Sequence, residues 1–327
     1  MKKIVKCLLT ASAMCLLILD TKTVLLGASS GIELCIKSIL PALFPFCILS
    51  KLINSQLVGK QIPFLRPIGK LCNIPAGAEA ILLLGFIGGY PFGAQCISDA
   101  YRSKALTKQD AQRMLGFCNN AGPAFLFGII GPILQNKGSL IGILCIQVIS
   151  ALAVGIILPR HKTRNAHNIV TQNKSLQTAL EESIHTMALV CGWVIIFRIV
   201  IAFMELWLSA YQSTAVPLII TGILELSNGC IALSKLDQAG AIYLLSSVFL
   251  SLGGSCVTMQ TAAVTKCIGK SYYLPGKFMQ TCLVALLSYI TQPVFFNLND
   301  RISITAGILL IPVVIFLLIT YILHKKG

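Results

Sequence analysis

An acidic residue, Glu225, stands inside a hydrophobic stretch of the chain, Thr221-Gly-Ile-Leu-Glu-Leu-Ser-Asn-Gly229. An ionisable side chain at membrane depth costs about 3 kcal/mol or more and is by default a functional candidate. With Ser227 and Asn228 beside it, Glu225 could bind a proton or a cation, or face the donor groups of a solute. The alternative is an interfacial glutamate at the end of a shorter span.

Two adjacent amides, Asn119 and Asn120, stand in another apolar region. They precede Gly122-Pro123, where an unwound turn would expose backbone groups. Paired neutral amides suit a planar polar solute better than a bare ion. The alternative is hydrogen bonding between membrane helices, an ordinary role for Asn worth about 1 kcal/mol. The sequence leaves both interpretations open.

Glycine-rich turns mark two further candidate positions. Gly88-Gly89-Tyr90-Pro91 allows a tight turn, and Tyr90 could stack on a ring or hydrogen-bond a carboxylate. A tyrosine of the interface belt is the alternative. Gly253-Gly254-Ser255 resembles Gly122-Pro123 as a second break, or else is a contact of small residues between helices. These turns complete the predicted substrate-binding set.

Composition indicates the elements that hold these residues. Of 327 residues, 56% are hydrophobic and only 11% are charged, with a mean hydropathy of +0.83, which is typical of a polytopic membrane protein. The net charge of +15 lies in short loops, without the aromatic interleaving of a nucleic-acid surface. No nucleic-acid partner is therefore expected.

Motifs for catalysis are also missing from the sequence. The 13 cysteines form no CxxC pair, and no ligand cluster has metal-site spacing. No Walker loop, HExxH or serine elbow occurs. We therefore expect no enzyme activity, no metal and no cofactor.

Hydropathy predicts eight spans and two broken segments. The spans are 4–19, 32–53, 114–134, 139–158, 183–207, 242–264, 278–297 and 303–323, and the broken segments are 80–98 and 215–234. Inside a bilayer, irregular backbone survives only where protein or a water-filled cavity surrounds it. Paired interruptions in two halves of a chain point to a transporter's binding site.

The predicted fold is an all-α polytopic membrane protein with two inverted repeats and paired re-entrant helices. Gly85 and Gly222 match as repeat positions. The predicted divisions are a retained N-terminal transmembrane helix (1–30), a first repeat (31–158), a basic cytoplasmic linker (159–174) and a second repeat (175–327). The proline-rich run at 40–46 kinks the second span without stopping it.

Basic residues predict the orientation. With a cytoplasmic N-terminus and two re-entrant segments, twenty of the 26 Lys and Arg fall on the cytoplasmic side. Those twenty are Lys2, Lys3, Lys6, Lys51, Lys60, Arg66, Lys70, Arg102, Lys104, Lys108, Arg113, Arg160, Lys162, Arg164, Lys174, Lys266, Lys270, Lys277, Lys325 and Lys326. Only Lys22, Lys137, Lys235 and Arg301 fall on the far side. This bias supports re-entrance, or two compensating crossings, and cytoplasmic termini.

Several of these motifs resemble those of a known family. Leu40-Pro-Ala-Leu-Phe-Pro-Phe46, Gly85-Phe-Ile-Gly-Gly-Tyr-Pro-Phe-Gly-Ala94 and Phe117-Cys-Asn-Asn-Ala-Gly-Pro123 are similar to the YlbJ-type sporulation integral membrane proteins. These belong to the broader nucleoside-recognition gate group. The resemblance covers roughly residues 31–300, and the run around Glu225 looks like the second-half counterpart.

The resemblance implies a role in endospore formation, in the outer forespore membrane. It implies movement of dipicolinic acid, a small planar dicarboxylate, by alternating access. The alternatives are a nucleoside or nucleobase transporter of the same group, and a non-transporting assembly factor of the spore envelope. The lipid bilayer and a small solute are the expected partners. A co-transported proton or cation and a homo-oligomer stay open.

Overall fold

The computed structural model describes residues 2–161, 174–208, 215–269 and 271–296, and it contains helices and no strands over those ranges. The predicted all-α class is confirmed. The predicted span 303–323 and most of the linker 159–174 lie outside the described residues.

Two sets of helices follow one another along the chain. The first set is α1 (Lys2–Leu19), α2 (Thr21–Leu57, with a π-helical turn at Cys35–Ile39), α3 (Arg66–Leu71), α4 (Glu79–Ile87), α5 (Phe92–Arg102), α6 (Lys108–Leu115), α7 (Pro123–Leu134) and α8 (Lys137–Ile157). The second set is α9 (Leu176–Trp207), α10 (Ala215–Leu224), α11 (Leu226–Ala232), α12 (Ala239–Leu252), α13 (Gly254–Val264) and α14 (Tyr273–Phe295).

Five stretches in the described part of the chain are long and apolar enough to cross a membrane: Thr21–Leu57, Lys137–Ile157, Leu176–Trp207, Ala239–Val264 and Tyr273–Phe295. The span predicted at 32–53 is longer than expected because Asp20 caps α2, its carboxylate accepting from Thr23 N at 3.0 Å. Pro45 lies inside the continuous helix, as predicted. A capping box of Thr107 and Asp110 starts α6, also as predicted.

Both predicted broken segments are helical hairpins. A methyl group on Gly229 would collide with the Cα of Gly222, seven residues earlier, so α10 and α11 fold back on each other around Glu225. In the first set, Gly85 and Gly93 both lie against the carbonyl of Cys118, so α4 and α5 fold back around Gly88–Pro91. Only glycine permits these backbone approaches.

Two predicted spans are interrupted instead of continuous. The span predicted at 114–134 is broken, because α6 ends at Leu115 and α7 starts only at Pro123. The span predicted at 242–264 breaks at Gly253, whose φ of +70° ends α12. In both cases the breaking residues were recognised as motifs, but the hydropathy of the flanking helices concealed the interruption.

The long helices of the two sets pack in antiparallel pairs. Gly27 of α2 lies against Ile199 of α9, and Gly31 of α2 lies against Ile195 of α9. Residue numbers rise along α2 while they fall along the facing stretch of α9, so the two helices are antiparallel. This small-residue face lets the two backbones approach closely. Likewise Gly142 of α8 meets Phe295 of α14, while Gln147 meets Gln280. Long helix, hairpin, interrupted helix and long helix thus occur in the same order twice.

Three basic residues assigned to loops are buried instead. Lys51, Arg113 and Lys277 are only 2%, 1% and 3% exposed. Arg113 donates to the backbone carbonyls of Cys72, Asn73, Gly155, Leu158 and Pro159. The interpretation as loop charges was wrong for these residues, because each lies at or near the boundary of a predicted span and hydropathy windows place span boundaries loosely. When these three residues are left out of the count, most Lys and Arg still fall on the cytoplasmic side of the predicted topology.

Candidate functional site

Each hairpin tip lies on the interruption of its own half. Gly89, at φ +74°, faces Gly122: a Cβ on Gly89 would lie 2.9 Å from the Gly122 nitrogen. Gly254, at φ +72°, faces the other tip: its Cβ would lie 3.0 Å from the carbonyl oxygen of Ile223. Left-handed backbone and close approach both require glycine here. The four breaks therefore form two contacting pairs.

Tyr90 joins the two halves. Its hydroxyl lies 3.2 Å from the carbonyl oxygens of both Leu250 and Ser251, at the C-terminal end of α12. The last carbonyls of a helix lack partners within the helix, so a buried hydroxyl donor satisfies them. Tyr90 is 7% exposed and lies at the turn of the first hairpin. The hairpin tip of one half thus binds the interrupted helix of the other.

Lys277 lies directly beside Tyr90. Its Nζ donates to Tyr90 OH at 2.9 Å, to Asn120 Oδ1 at 3.0 Å and to Gln280 Oε1 at 2.8 Å. Nζ also lies 4.9 Å from the centre of the Tyr90 ring. The three N–H groups of the Lys277 ammonium group therefore each have one neutral acceptor. Within the described residues, no carboxylate lies within 4.0 Å of this ammonium group.

Glu225 forms the turn of the second hairpin. It is 2% exposed, and its Oε2 accepts from the backbone nitrogen and the Nδ2 of Asn228, both at 2.7 Å. The carboxylate thus caps α11 with two hydrogen bonds. The N-terminus of this helix is occupied by the chain's own carboxylate.

A small cavity of about 30 Å³ separates the two hairpin turns. Its lining includes Tyr90, Gly122, Glu225, Ser227 and Gln260 among apolar side chains. A cavity of this size holds about two water molecules and no ring-sized solute. The cavity in this structure is therefore too small for a ring-sized solute.

A second cavity, which we call the vestibule, measures about 350 Å³. Its lining includes Glu33, Lys37, Arg198, Glu205, Asn228 and Lys235. Because Glu33, Lys37 and Lys235 are exposed, the vestibule opens to the surface. Asn228 lines the vestibule and hydrogen-bonds Glu225, which lines the small cavity. Asn228 and Glu225 therefore lie between the vestibule and the small cavity.

An ionic cluster joins the C-terminal end of α2 to the N-terminal end of α9. Lys51 lies 3.4 Å from Glu182, and Lys174 lies 2.6 Å from Glu182 and 3.6 Å from Asp99 of α5. Burial of Lys174 disfavours its charge, but the hydrogen bonds that it donates to Glu182 and the charge of Asp99 outweigh this and raise its pKa. This cluster is roughly 20 Å along α2 from the vestibule.

A comparison with known proteins agrees with the resemblance seen in the sequence motifs. The chain is 27% identical over 298 residues to the sporulation integral membrane protein YlbJ of Bacillus subtilis (strain 168), covering 80% of this chain and 70% of that protein. The chain is thus similar to a YlbJ-type sporulation membrane protein. No family model and no solved structure matches it. The resemblance predicted from the motifs is confirmed, and the chain is a multi-pass integral membrane protein.

The structure brings most of the predicted site residues to the hairpin turns. Tyr90, Asn120, Gly122, Glu225 and Ser227 line the small cavity or contact the lysine beside it. The others shape the backbone nearby: Gly88, Gly89 and the cis-bonded Pro91 form the first tip, Gly253 and Gly254 the break before α13, Ser255 its first turn, and Asn228 the rim of the vestibule.

The hydrogen bonds of Asn119 match the structural alternative, which is hydrogen bonding between membrane helices. Its Oδ1 accepts from Ala94 N at 3.2 Å and its Nδ2 donates to Thr261 Oγ1 at 3.0 Å. Both ends of the amide are thus used between helices of the two halves, and Asn119 does not line the cavity. This is the helix-linking role that the sequence left open beside solute binding.

Sequence reasoning missed three polar residues of the site. Lys277 was counted among loop charges, and neither Gln280 nor Gln260 was considered, although all three are at most 4% exposed. One weak signal existed: Lys277 and Gln280 share a helix face at i, i+3, at the boundary of a predicted span.

Proposed function

We propose that this protein, which resembles a YlbJ-type sporulation membrane protein, is a transporter of sporulation. It moves a small planar solute, with dipicolinic acid as the first candidate, across the outer forespore membrane by alternating access. The observation that carries this proposal is the meeting of two hairpin turns and two interrupted helices, drawn from both halves, around one small cavity. Such breaks at the junction of two repeats are typical of transporter binding sites. The proposal includes no chemical conversion of the solute.

The two halves act as inverted repeats in this proposal, with both hairpins re-entrant. Support comes from the repeated order of elements and from the antiparallel pairing of α2 with α9 and of α8 with α14. Antiparallel equivalent helices are expected when two repeats have opposite topology in the membrane. The predicted cytoplasmic termini belong to the same proposal.

Access to the cavity requires the halves to separate. The vestibule is large enough for a small solute and leads to Asn228 and Glu225. The other end is closed by the ionic cluster of Lys51, Glu182, Lys174 and Asp99. Rocking one half against the other would release Tyr90 from α12 and break this cluster when the solute moves on.

Glu225 is the proposed site of a co-transported proton or cation. A buried carboxylate repels an anionic solute unless it carries a proton or a bound cation. Since Glu225 lines the same cavity as Tyr90, solute and proton or cation would occupy neighbouring positions. Coupling of the two follows from their proximity.

A nucleoside or nucleobase is the second candidate solute. The neutral groups of Tyr90 and Gln260, which line the cavity, match the donors and acceptors of a base. A non-transporting assembly factor is a separate alternative, and it makes no demand on Glu225.

Uptake of labelled dipicolinate by proteoliposomes of the purified protein tests the proposal. Glu225→Gln is the test variant, and Glu181→Gln, an exposed acid on α9, is its matched control. We expect saturable uptake that unlabelled nucleoside does not inhibit, that Glu225→Gln loses and that Glu181→Gln keeps. Inhibition by nucleoside would favour the second solute class. Absence of uptake of either solute by folded protein would move the assignment to an assembly factor.

A further inference from the structure

We propose that Lys277 is the carboxylate-binding group of the transport site, which makes the solute class an organic carboxylate anion. The inference rests on the proposed transport function and goes beyond it by assigning the recognition chemistry to one side chain.

The first argument is the missing counter-ion. A buried charge is normally paired, because neutral hydrogen bonds replace only part of the lost hydration. Lys277 has Tyr90, Asn120 and Gln280 as acceptors, and all three are neutral. The described residues supply no carboxylate within 4.0 Å. Lys277 is therefore a buried lysine whose described hydrogen-bond partners include no anion.

The second argument is a contrast with the other buried cations. Lys51 has Glu182 as its partner. Arg113 has no described acid either, but backbone carbonyls hold its guanidinium, two of them, Gly155 and Leu158, at the end of α8. Carbonyls at a helix C-terminus stabilise a cation and cannot turn away. Lys277 is held only by side chains, which can rotate to admit another ligand.

The third argument concerns which acceptor can be exchanged. Of the three acceptors of Lys277, only Tyr90 also lines the small cavity. Tyr90 is at the same time the contact between the halves, through the carbonyls of Leu250 and Ser251. When the halves separate, the Tyr90 hydroxyl is free to leave Nζ, and a solute carboxylate entering the cavity takes its place. An ammonium group attracts a carboxylate more strongly than a neutral hydroxyl, above all where water is excluded, so the exchange favours the anion.

The basic groups of the vestibule do not compete for this role. Lys37 is paired with Glu33 at 2.6 Å, and Arg198 with Glu205 at 3.0 Å. At either residue a solute anion would have to displace a resident carboxylate. The third basic residue of the vestibule, Lys235, is exposed, so water and salt screen its charge. In this proposal the solute passes through the vestibule, and Lys277 recognises its carboxylate.

The test is uptake of labelled dipicolinate by proteoliposomes of the full chain, with three unlabelled competitors: dipicolinate, its neutral diamide, and a nucleoside. For wild type we expect dipicolinate to compete at least about tenfold better than the diamide, since a carboxylate adds to the hydrogen bond a charge attraction that a neutral amide lacks. For Lys277→Gln we expect uptake to fall at least about tenfold and any residual uptake to lose the preference for the dicarboxylate. Lys277→Arg, which keeps the cation, should retain that preference. Lys266→Gln, at an exposed lysine, is the matched control.

The outcomes separate the two proposals. Wild-type uptake of dipicolinate with Lys277→Gln unchanged in rate and preference would overturn the role of Lys277 and leave transport standing. Equal competition by diamide and dicarboxylate in wild type would overturn it without any variant, and so would not depend on how Lys277→Gln folds. Absence of wild-type uptake of any carboxylate would overturn both.

Discussion

Two neighbouring residues, Asn119 and Asn120, have different roles at the residue scale. The amide of Asn119 links Ala94 and Thr261, while Asn120 presents its oxygen to Lys277. Asn119→Ala should lower the free energy of unfolding by about 1–3 kcal/mol, because it leaves buried partners unsatisfied, and should keep transport per folded molecule. Asn120→Ala should reduce transport by removing a ligand of Lys277. Thermal melting and uptake of both variants check this, and equal loss of uptake would contradict the distinction.

Glu225 has two roles that substitution can separate. Glu225→Gln keeps an oxygen that can accept from Asn228 N, whereas Glu225→Ala removes the cap of α11. Loss of a helix cap costs about 1 kcal/mol, so Glu225→Ala should melt at a lower temperature than Glu225→Gln, while both lose coupled uptake. Similar melting with full uptake in Glu225→Gln would leave the carboxylate only a capping role.

At the element scale, glycines fix the position of the hairpins. A methyl group on Gly89 would lie 2.9 Å from the backbone of Gly122 on a residue with φ +74°, and left-handed backbone alone costs about 1–2 kcal/mol for other residues. Gly192→Ala is the matched control, since nothing lies within 4 Å of its added Cβ. Thermal melting should show a clear loss of stability for Gly89→Ala and none for Gly192→Ala. Equal melting of the two variants would show that the tip does not need this approach.

Re-entrance predicts which surface each hairpin end reaches. Ser103 follows α5, and Ser234 follows α11 beside the vestibule; both are exposed. With the exposed Cys7, Cys15, Cys145 and Cys267 replaced by serine, Ser103→Cys and Ser234→Cys should react with an impermeant thiol reagent from opposite sides of the membrane, Ser103 from the cytoplasm. Labelling of Ser103→Cys from the far side alone would overturn the re-entrant arrangement.

Local signals predicted the elements better than they predicted the site. The turns at Gly88–Pro91 and at Glu225 are visible because glycine, proline and a charge interrupt apolar runs. Lys277 is different: one lysine near the end of an apolar helix looks like an ordinary boundary residue, and only tertiary packing buries it beside Tyr90, 187 residues away. Likewise, the vestibule is formed by three segments that meet only in the folded chain.

At the scale of the whole molecule, transport requires the two halves to move against each other. Besides the Tyr90 contact, Ser98 of α5 touches the second half, its Oγ donating to Val264 O at 2.8 Å and lying 4.0 Å from the sulfur of Cys267. A cysteine at position 98 would therefore place two thiols close enough to be joined by mild oxidation. The resulting disulfide would hold the halves in the arrangement described above.

The most direct test of alternating-access transport is dipicolinate uptake by Ser98→Cys protein in proteoliposomes, measured after oxidation and again after reduction. We predict that the oxidised protein takes up no solute, that a reductant restores uptake, and that Ser98→Cys combined with Cys267→Ser is active under both conditions. Undiminished uptake by fully cross-linked protein would contradict a rocking motion of the two halves, and no uptake by reduced or wild-type protein would contradict transport itself.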